Sequence, residues 1–442
     1  MCTENILFSE QHDLDSRSKV LIVTSRFPGG GGSRIDAFVK YLPGFQVDPL
    51  VLSSDEDYDP CEEPIGRKSY SPQFKLFRAS SIGRTYFTKR FMYRGPESNH
   101  YRLLNILSFP ERFILVPDDM VRWIPHGIKV AKEIIRREGV NVILTTSPPE
   151  STHLIGLFVN RSLGIPWIVD FQDLWTEKVL HYRPATPIHD WWIKRLESKI
   201  FKAADRVIAN TPENAERHKH RFALTSNCVE VIPNGFDRDD LYPDVDQSLP
   251  DVFCIGYMGA LDKHDFPWRI TLDAVNKLGN EFGRANVKFI FCGYPSRQVI
   301  KYMHDRELTD IIDIRGLHPH SEAMRIISST DIRILLLYET PYSSSIVPQK
   351  LYNYLIMKGP ILAVAPEVGM TASIIAETRM GIVVPPRRGS DAIYQELKRY
   401  YLAWQRGDLN VHPNQNAIDQ YSYCANTQRL AKLIQGVVKC DS

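Results

Sequence analysis

Twelve short apolar runs, each followed by a longer segment with helical spacing or by a turn, constrain the fold more than any other feature. Six of them lie before residue 233 and six after residue 252. Their hydrophobicity is continuous rather than alternating, which is typical of parallel strands covered by helices on both faces. Two such series predict two doubly wound α/β domains. The runs are VLIVT (20–24), VDPLVL (47–52), NVILTT (141–146), PWIVD (166–170), RVIAN (206–210), VEVI (229–232), FCIGYM (253–258), NVKFIFC (286–292), IIDI (311–314), IRILLL (332–337), ILAVA (361–365) and GIVV (381–384).

The length of 442 residues also favours two hydrophobic cores over one. Residues 233–252 are rich in Pro, Asp and Gly and lack periodicity, so they predict a linker. We therefore expect an N-terminal domain over residues 1–240 and a C-terminal domain over residues 241–412. Helical spacing within 416–439 predicts that the last segment, residues 413–442, forms a helix that returns to the first domain.

Composition excludes several classes of protein. The chain has 43% hydrophobic and 24% charged residues and a net charge of +2, which is typical of a globular protein and argues against nucleic acid as a partner. Its seven cysteines include no C-x-x-C pair, so we expect neither a disulfide framework nor a metal site. No run of 18 apolar residues and no export signal is visible, which predicts a cytoplasmic protein.

Residues 66–113 differ from the rest of the chain. They contain ten basic and two acidic residues, a local charge of +8, together with ten Tyr and Phe residues. Such a segment is compatible with peripheral contact to an anionic membrane, for example at its inner face, or with a lipid diphosphate. A solvated, irregular insertion explains the same composition equally well, so both interpretations stay open.

A glycine-rich loop follows the first strand. Four glycines, Gly29 to Gly32, precede Ser33 and Asp36 in the S-x-x-D pattern of a helix start. Glycine lets the backbone approach a ligand closely, and the free N–H groups of a new helix favour an anion. The loop, with Gly30 and Gly31 at its centre, is a candidate phosphate or sugar contact; a plain turn is the alternative.

Polar residues also follow the strand at 166–170. Asp170, Gln172 and Asp173 stand at the carboxyl end of that strand, where open α/β sheets place their ligands. Either carboxylate could orient a hydroxyl group or accept its proton, and capping of the next turn is the alternative. His153 falls within a helical pattern, which favours a packed or surface imidazole over a catalytic base.

The stretch SSIVPQKLYNYLIMKGPILAVAP, from Ser344 to Pro366, predicts a loop, a short helix beginning near Pro348 and a buried strand. Gly359 and Pro360 end the helix before the strand begins. The helix carries Lys350 in its first turn.

The order of these segments resembles that of family 4 glycosyltransferases with the GT-B fold, in particular the bacterial enzymes that build cell-surface polysaccharides. The resemblance extends from about residue 19 to residue 386 and includes SPPESTHLIG, GIPWIVDFQDLW, ADRVIANTP, VIPNGFDRDDLYP, IGYMGALDKHD, FIFCGYP, VPQKLYNYLIMKGPILAVAP and GIVVPP. No single motif decides it; the order and spacing carry the weight.

The resemblance implies two Rossmann-like domains facing a cleft. It also implies transfer of a sugar, with retention, from a nucleotide-sugar donor bound by the second domain to a saccharide or lipid-linked acceptor bound by the first. Neither a metal nor another cofactor is implied. On this basis the catalytic candidates are Lys263 and Lys350, which would neutralise the departing diphosphate, and Asp173 on the acceptor side. The acceptor candidates are Asp170 and Gln172, and the donor candidates are Gly30, Gly31, Gly259, Ser345, Pro348, Gln349, Leu351 and Asn353.

The chain departs from the family pattern at the donor helix. The two glutamates of the familiar Glu-(seven residues)-Glu motif correspond here to Ser345 and Asn353. Asparagine can bind ribose hydroxyls but lacks the charge that strengthens such hydrogen bonds. Two alternatives therefore stay open. One is a non-catalytic binding subunit of a polysaccharide assembly complex, and the other is a sugar-nucleotide epimerase of the same fold, which would need further acid and base residues.

Overall fold

A computed structural model describes residues 17–28, 33–55, 74–81, 115–177, 184, 186–240, 251–261, 267–340 and 342–440. The chain divides into two compact units. Unit 1 comprises Met1–Asn234 and Tyr423–Ser442, and unit 2 comprises Gly235–Ser422. The chain thus leaves unit 1 at Asn234 and re-enters it at Tyr423, whereas the sequence placed these boundaries at residues 240 and 413.

Unit 1 is built on a seven-stranded parallel sheet in the order β3-β2-β1-β4-β5-β6-β7. The continuous apolar runs form its central strands because helices cover both faces and exclude water. The strands are β1 (Ser18–Thr24), β2 (Val47–Ser54), β3 (Lys75–Ala79), β4 (Val142–Ser147), β5 (Trp167–Phe171), β6 (Arg206–Ala209) and β7 (Val229–Val231). The helices are α1 (Ser33–Tyr41), α2 (Ile124–Glu138), α3 (Ser151–Leu163), α4 (Pro187–Ala203) and α5 (Pro212–Phe222).

Unit 2 repeats this architecture with a six-stranded parallel sheet in the order β10-β9-β8-β11-β12-β13. Its strands are β8 (Phe253–Met258), β9 (Val287–Cys292), β10 (Ile312–Gly316), β11 (Ile332–Leu336), β12 (Ile361–Val364) and β13 (Gly381–Val384). Its helices are α6 (Trp268–Phe282), α7 (Arg297–Asp305), α8 (His320–Ser328), α9 (Gln349–Leu355), α10 (Met370–Thr378), α11 (Gly389–Gln405) and α12 (Gln415–Asp419).

The last helix, α13 (Tyr423–Cys440), returns to unit 1, which confirms the predicted return of the C-terminal segment. It packs against α1 and β1, and its buried side chains recur at helical spacing. They join the apolar cluster that contains Val20 and Ile22 of β1, and they are Leu430, Ala431, Ile434 and Val437.

Strand β3 lies within the basic segment 66–113 and was not predicted. It pairs in parallel with β2 at the edge of the sheet. Lys75 and Leu76 are exposed, and the Arg78 guanidinium donates to the Ser54 carbonyl oxygen at 2.8 Å. An edge strand tolerates such charges because one of its sides faces water, so it lacks the continuous apolar signal of a central strand. Most of the remainder of 66–113 lies outside the described residues.

Helices that could cross a membrane were sought among the same described residues, and none is both long and apolar enough.

Candidate functional site

The first strand of unit 2, β8, marks the point where the strand order of the sheet reverses. Strands β9 and β10 lie on one side of it and β11 to β13 on the other. All strands are parallel, so their carboxyl ends lie along one edge. In open α/β sheets ligands bind at this edge, beside the switch in strand order. The end of β8 and the connection that follows β11 are therefore the first places to search for a site.

Lys350 of α9 reaches this position. Its Nζ donates a hydrogen bond to the Tyr257 hydroxyl at 2.8 Å and lies 4.2 Å from the centroid of the Tyr257 ring. Tyr257 belongs to β8 and is fully buried, and its hydroxyl donates to the Ala260 carbonyl oxygen at 3.0 Å. Burial lowers the pKa of Lys350 to about 8 and raises the pKa of Tyr257. No carboxylate of the described residues forms an ion pair with Lys350, so the ammonium is a half-buried cation without an anionic partner.

Beside Lys350, two glycines leave main-chain atoms uncovered by any side chain. Gly259 directly follows β8 with φ +116°, and a Cβ at this position would lie 2.8 Å from the Lys350 Nζ. Gly293 follows β9 with φ +152°, and a Cβ there would collide with the Gly259 carbonyl. Both positions therefore require glycine, since each combines a positive φ with a close approach. The result is a surface of main-chain atoms next to a cation.

The other donor candidates on α9 have different environments. Asn353 is 4% exposed, and within the described residues its amide has no hydrogen-bond partner. Leu351 is fully buried in the apolar core, so it can present only backbone atoms to a ligand. Pro348 caps the helix without a side-chain hydrogen bond, and the Gln349 side chain donates to the Gly235 carbonyl oxygen at 2.8 Å.

Ser345, the other position of the family glutamates, is 3% exposed and donates to the Tyr342 carbonyl oxygen at 3.1 Å. It belongs to the loop before α9, which is held by the start of α10. The Thr371 hydroxyl donates to the Ile346 carbonyl oxygen at 2.8 Å, and a Cβ at Gly369 would lie 2.7 Å from the Ser344 backbone. The loop that positions α9 is therefore fixed by neighbouring structure.

Three of the residues predicted for the site lie outside the described residues: Gly30, Gly31 and Lys263. Clusters of His, Cys, Asp and Glu side chains that could hold a metal ion were also sought, and none occurs in the described part of the chain.

In unit 1, Asp170 at the end of β5 forms a buried ion pair. The Arg34 guanidinium donates to its two oxygens at 2.9 and 3.1 Å, and the Thr146 hydroxyl donates at 3.0 Å. Asp170 is 0% exposed and the Arg34 side chain 1%. Arg34 also donates to the Pro233 carbonyl oxygen at 2.7 Å. Asp170 thus presents no surface to an acceptor and ties α1 to β5 and to the end of the first unit.

Gln172 and Asp173 lie on the turn after β5. Gln172 is half-buried, and its side-chain amide donates to the Thr146 hydroxyl at 3.1 Å. Its main-chain carbonyl oxygen accepts a hydrogen bond from the Asn210 side-chain amide. Asp173 is exposed. The structure therefore brings Gln172 together with Asp170 through Thr146 and leaves Asp173 facing solvent beside them.

His153 is packed, as its helical position favoured. It is fully buried, its Nδ1 shares a hydrogen bond with the Thr145 hydroxyl at 2.8 Å, and its ring lies 4.4 Å from that of Phe171. Burial lowers the pKa of His153 to about 3. An imidazole without access to solvent is a structural group at neutral pH.

Sequence reasoning missed Tyr257 and Arg34. Tyr257 lies inside an apolar run, where the pattern predicts only burial, and Arg34 follows a glycine loop with nothing local to indicate its partner 136 residues later. Both are recognisable only through tertiary contacts.

The sequence profile of glycosyltransferase family 4 matches residues 28–240, slightly less than half of the chain. Residues 28–240 are therefore similar to glycosyltransferase family 4. A search of curated protein sequences finds no significant match to this chain.

Solved structures are similar over nearly the whole chain. Sucrose-phosphate synthase from Thermosynechococcus elongatus has a TM-score of 0.63 at 14% identity, covering 96% of this chain and 100% of that chain. HepE from Anabaena, solved with UDP and glucose, has a TM-score of 0.62 at 12% identity, covering 95% and 100%. A candidate UDP-N-acetylglucosamine 2-epimerase from Listeria monocytogenes has a TM-score of 0.53 at 10% identity, covering 94% and 95%. These similarities show the GT-B fold, as the sequence predicted.

Proposed function

We propose that this glycosyltransferase moves a sugar, with retention, from a nucleotide-sugar donor bound by unit 2 to a saccharide or lipid-linked acceptor. We place the reaction in the cytoplasm, in the synthesis of cell-surface polysaccharide or glycoconjugate, without a metal or other cofactor. The observation that carries the proposal is the half-buried ammonium of Lys350 beside the bare backbone of Gly259 at the end of β8. A structure of similar fold, HepE, was solved with UDP and glucose, which supports a nucleotide-sugar donor.

In this proposal Lys350 stabilises the diphosphate as it departs. A cation held in a partly dry site acts more strongly on a developing negative charge than the same cation in water, and it needs no reorganisation during the reaction. Asn353 contributes its amide to the donor, and Lys263 adds a second positive charge. Asp173 and Gln172 are the proposed acceptor contacts, while Asp170 acts through the Thr146 hydroxyl, which accepts a hydrogen bond from Gln172.

Calorimetric titration with UDP-, GDP-, dTDP- and CMP-sugars tests the donor site. We expect one nucleotide to bind, and Lys350→Met to weaken it at least about tenfold, as for the loss of a charged hydrogen bond. Lys277→Met is the matched control, because Lys277 is an exposed lysine of the same unit that pairs with Asp391. Failure of every donor to bind the folded protein would remove the donor-site assignment.

Retention is tested separately, by following the anomeric proton of the transferred sugar by NMR during turnover or during slow donor hydrolysis. A first product with the donor's anomeric configuration is expected. Inversion would contradict the retaining mechanism but not the donor site.

A non-catalytic role is the second candidate, because Ser345 is buried against the Tyr342 carbonyl and Asn353 bears no charge. It predicts a folded protein without turnover. A sugar-nucleotide epimerase is the third candidate, because a candidate epimerase has a similar fold. It predicts interconversion of nucleotide sugars without any acceptor.

A further inference from the structure

Helix α4 of unit 1 carries an unusual outer face. At 100° per residue, six side chains of this helix fall within an arc of about 100°. The first three are apolar and the last three are basic. They are Ile188, Trp191, Trp192, Arg195, Lys199 and Lys202, referred to below as the α4 face.

The opposite side of α4 fixes the helix to the unit. Ile193, Ile200 and Phe201 are buried in the core, and Phe201 stacks on Phe171 with ring centroids 4.6 Å apart. Glu197 is 1% exposed and binds Arg221 at 2.7 Å. Because these contacts hold the helix in one rotation, the outer face presents a constant set of side chains to solvent.

The apolar half of the α4 face is well exposed. Ile188 is 77% exposed, Trp191 58% and Trp192 45%. Single exposed apolar residues are common, but three large ones together on one helix mark an interaction surface. The Arg195 guanidinium lies 5.6 Å from the Trp191 ring centroid, and the Lys199 ammonium lies 6.0 Å from that of Trp192. Both cations therefore lie close to the tryptophan rings.

We propose that the α4 face docks the protein on an anionic lipid surface. Tryptophan and isoleucine enter the headgroup region, where indole rings are favoured because they are apolar with one polar edge. Arginine and lysine meet the lipid phosphates with their charged ends and lay their stems along the apolar region. The proposed sugar transfer is not needed for this inference, which concerns a different part of unit 1.

Charge decides for a lipid surface over a second copy of this chain. No acidic residue of α4 lies on the arc, and the half-buried Asp190, which lies outside it, is paired with Lys194 at 2.8 Å. The face therefore requires an anionic partner, whereas the whole chain has a formal charge of only +2. The face of a single helix is convex, which also suits a fluid array of headgroups because binding to it does not depend on shape complementarity.

The test measures binding of the full chain to sedimented vesicles. One set contains equal parts of phosphatidylglycerol and phosphatidylcholine, and the other contains phosphatidylcholine alone. We expect preferential binding to the anionic set that weakens as salt is raised. Arg195→Gln with Lys199→Gln should weaken binding about 30-fold, from two charges near an anionic surface. Trp191→Ala with Trp192→Ala should weaken it at least about tenfold.

Matched controls separate the α4 face from charge and apolarity in general. Lys129→Gln with Arg136→Gln removes two charges from α2 in the same unit, and Tyr294→Ala removes a side chain that is 65% exposed in unit 2. Both should bind vesicles as the unaltered protein does. All substituted positions are exposed except Lys199, which is half-buried. Thermal unfolding of each variant checks that it folds.

Three outcomes would overturn the proposal. The first is an unaltered protein that binds neither vesicle set. The second is anionic binding that both α4 variants retain in full, which would move the contact to another basic segment such as 66–113. The third is a tryptophan variant that loses self-association in sedimentation analysis while vesicle binding is unchanged, which would assign the face to a second copy of the chain.

Discussion

Two effects oppose each other at Lys350: burial favours its neutral form, whereas an anionic ligand requires its charged form. Burial lowers its pKa from 10.5 to about 8. We therefore expect donor affinity to fall as pH rises through about 8, where the free protein loses the ammonium. Lys350→Arg should keep its affinity across the same window, since a guanidinium stays protonated. Calorimetric titration with the nucleotide that binds, repeated between about pH 7 and pH 9.5, measures the donor affinity of the unaltered protein and of Lys350→Arg.

The folding stability of the free protein should change in the opposite direction. Between about pH 8 and pH 10.5 the unfolded chain binds a proton at Lys350 that the folded chain does not, so this residue makes the free energy of unfolding rise with pH. Donor affinity that is flat through pH 8 would contradict the role given to the ammonium.

Asp170 and Arg34 form the ion pair whose loss should cost most. Both are buried, so removal of one partner leaves the other charge without compensation. We predict that Asp170→Ala lowers the free energy of unfolding by about 3–5 kcal/mol. Lys194→Ala is the control, because its pair with Asp190 has a similar length of 2.8 Å but is exposed, and it should cost about 0.5 kcal/mol or less. Urea unfolding of the two variants makes the comparison, and equal losses would refute it.

At the scale of elements, α3, β5 and α5 enclose two neutral histidines. His153 of α3 and His218 of α5 both lie against the Phe171 ring, and burial lowers their pKa values to about 3 and about 4. Below about pH 6.5 the unfolded chain takes up protons at these positions that the folded chain does not. Stability is therefore lost as pH falls from about 6.5 towards 4, at up to about 2.7 kcal/mol per pH unit for the pair.

His218→Leu tests this acid sensitivity. It removes one proton-binding site and keeps an apolar side chain against Phe201, so it should remove about half of the pH dependence contributed by the pair between pH 4 and 6.5. The exposed His412→Leu is the control and should leave the dependence unchanged. An unchanged profile for His218→Leu would show that other groups govern acid unfolding.

The same elements show what the sequence could predict. The central strands were found within two residues of their ends, because continuous hydrophobicity is a local signal of burial on both faces. Strand β3 was missed because an edge strand carries charges such as Lys75 and Arg78. The contacts of Lys350 with Tyr257 and of Arg34 with Asp170 join residues 93 and 136 positions apart. No local pattern specifies such pairs, so the sequence could not predict the partners of these residues.

At the scale of the whole molecule, unit 2 is an insertion within unit 1. The two chain segments that enter and leave unit 2 are adjacent, because the Phe236 N–H donates to the Tyr421 carbonyl oxygen at 3.1 Å. On the unit 1 side, the Asn426 amide donates to the Pro233 carbonyl oxygen at 2.9 Å. Each unit therefore has its own pair of neighbouring ends, and each should be separable where the chain crosses.

We predict that residues 235–422 fold alone, and that residues 1–234 fold stably only when joined to residues 423–442 by a short glycine-serine linker. Helix α13 buries Leu430, Ile434 and Val437 under β1, and at about 1.5–3 kcal/mol for each side chain its loss removes about 5 kcal/mol or more. That is comparable with the entire stability of a typical domain. Urea unfolding of residues 1–234, with and without the joined helix, measures the difference, and a peptide of residues 423–440 should restore stability when added separately. If residues 1–234 unfold at the same urea concentration as the joined protein, the returning helix is not part of the core of unit 1.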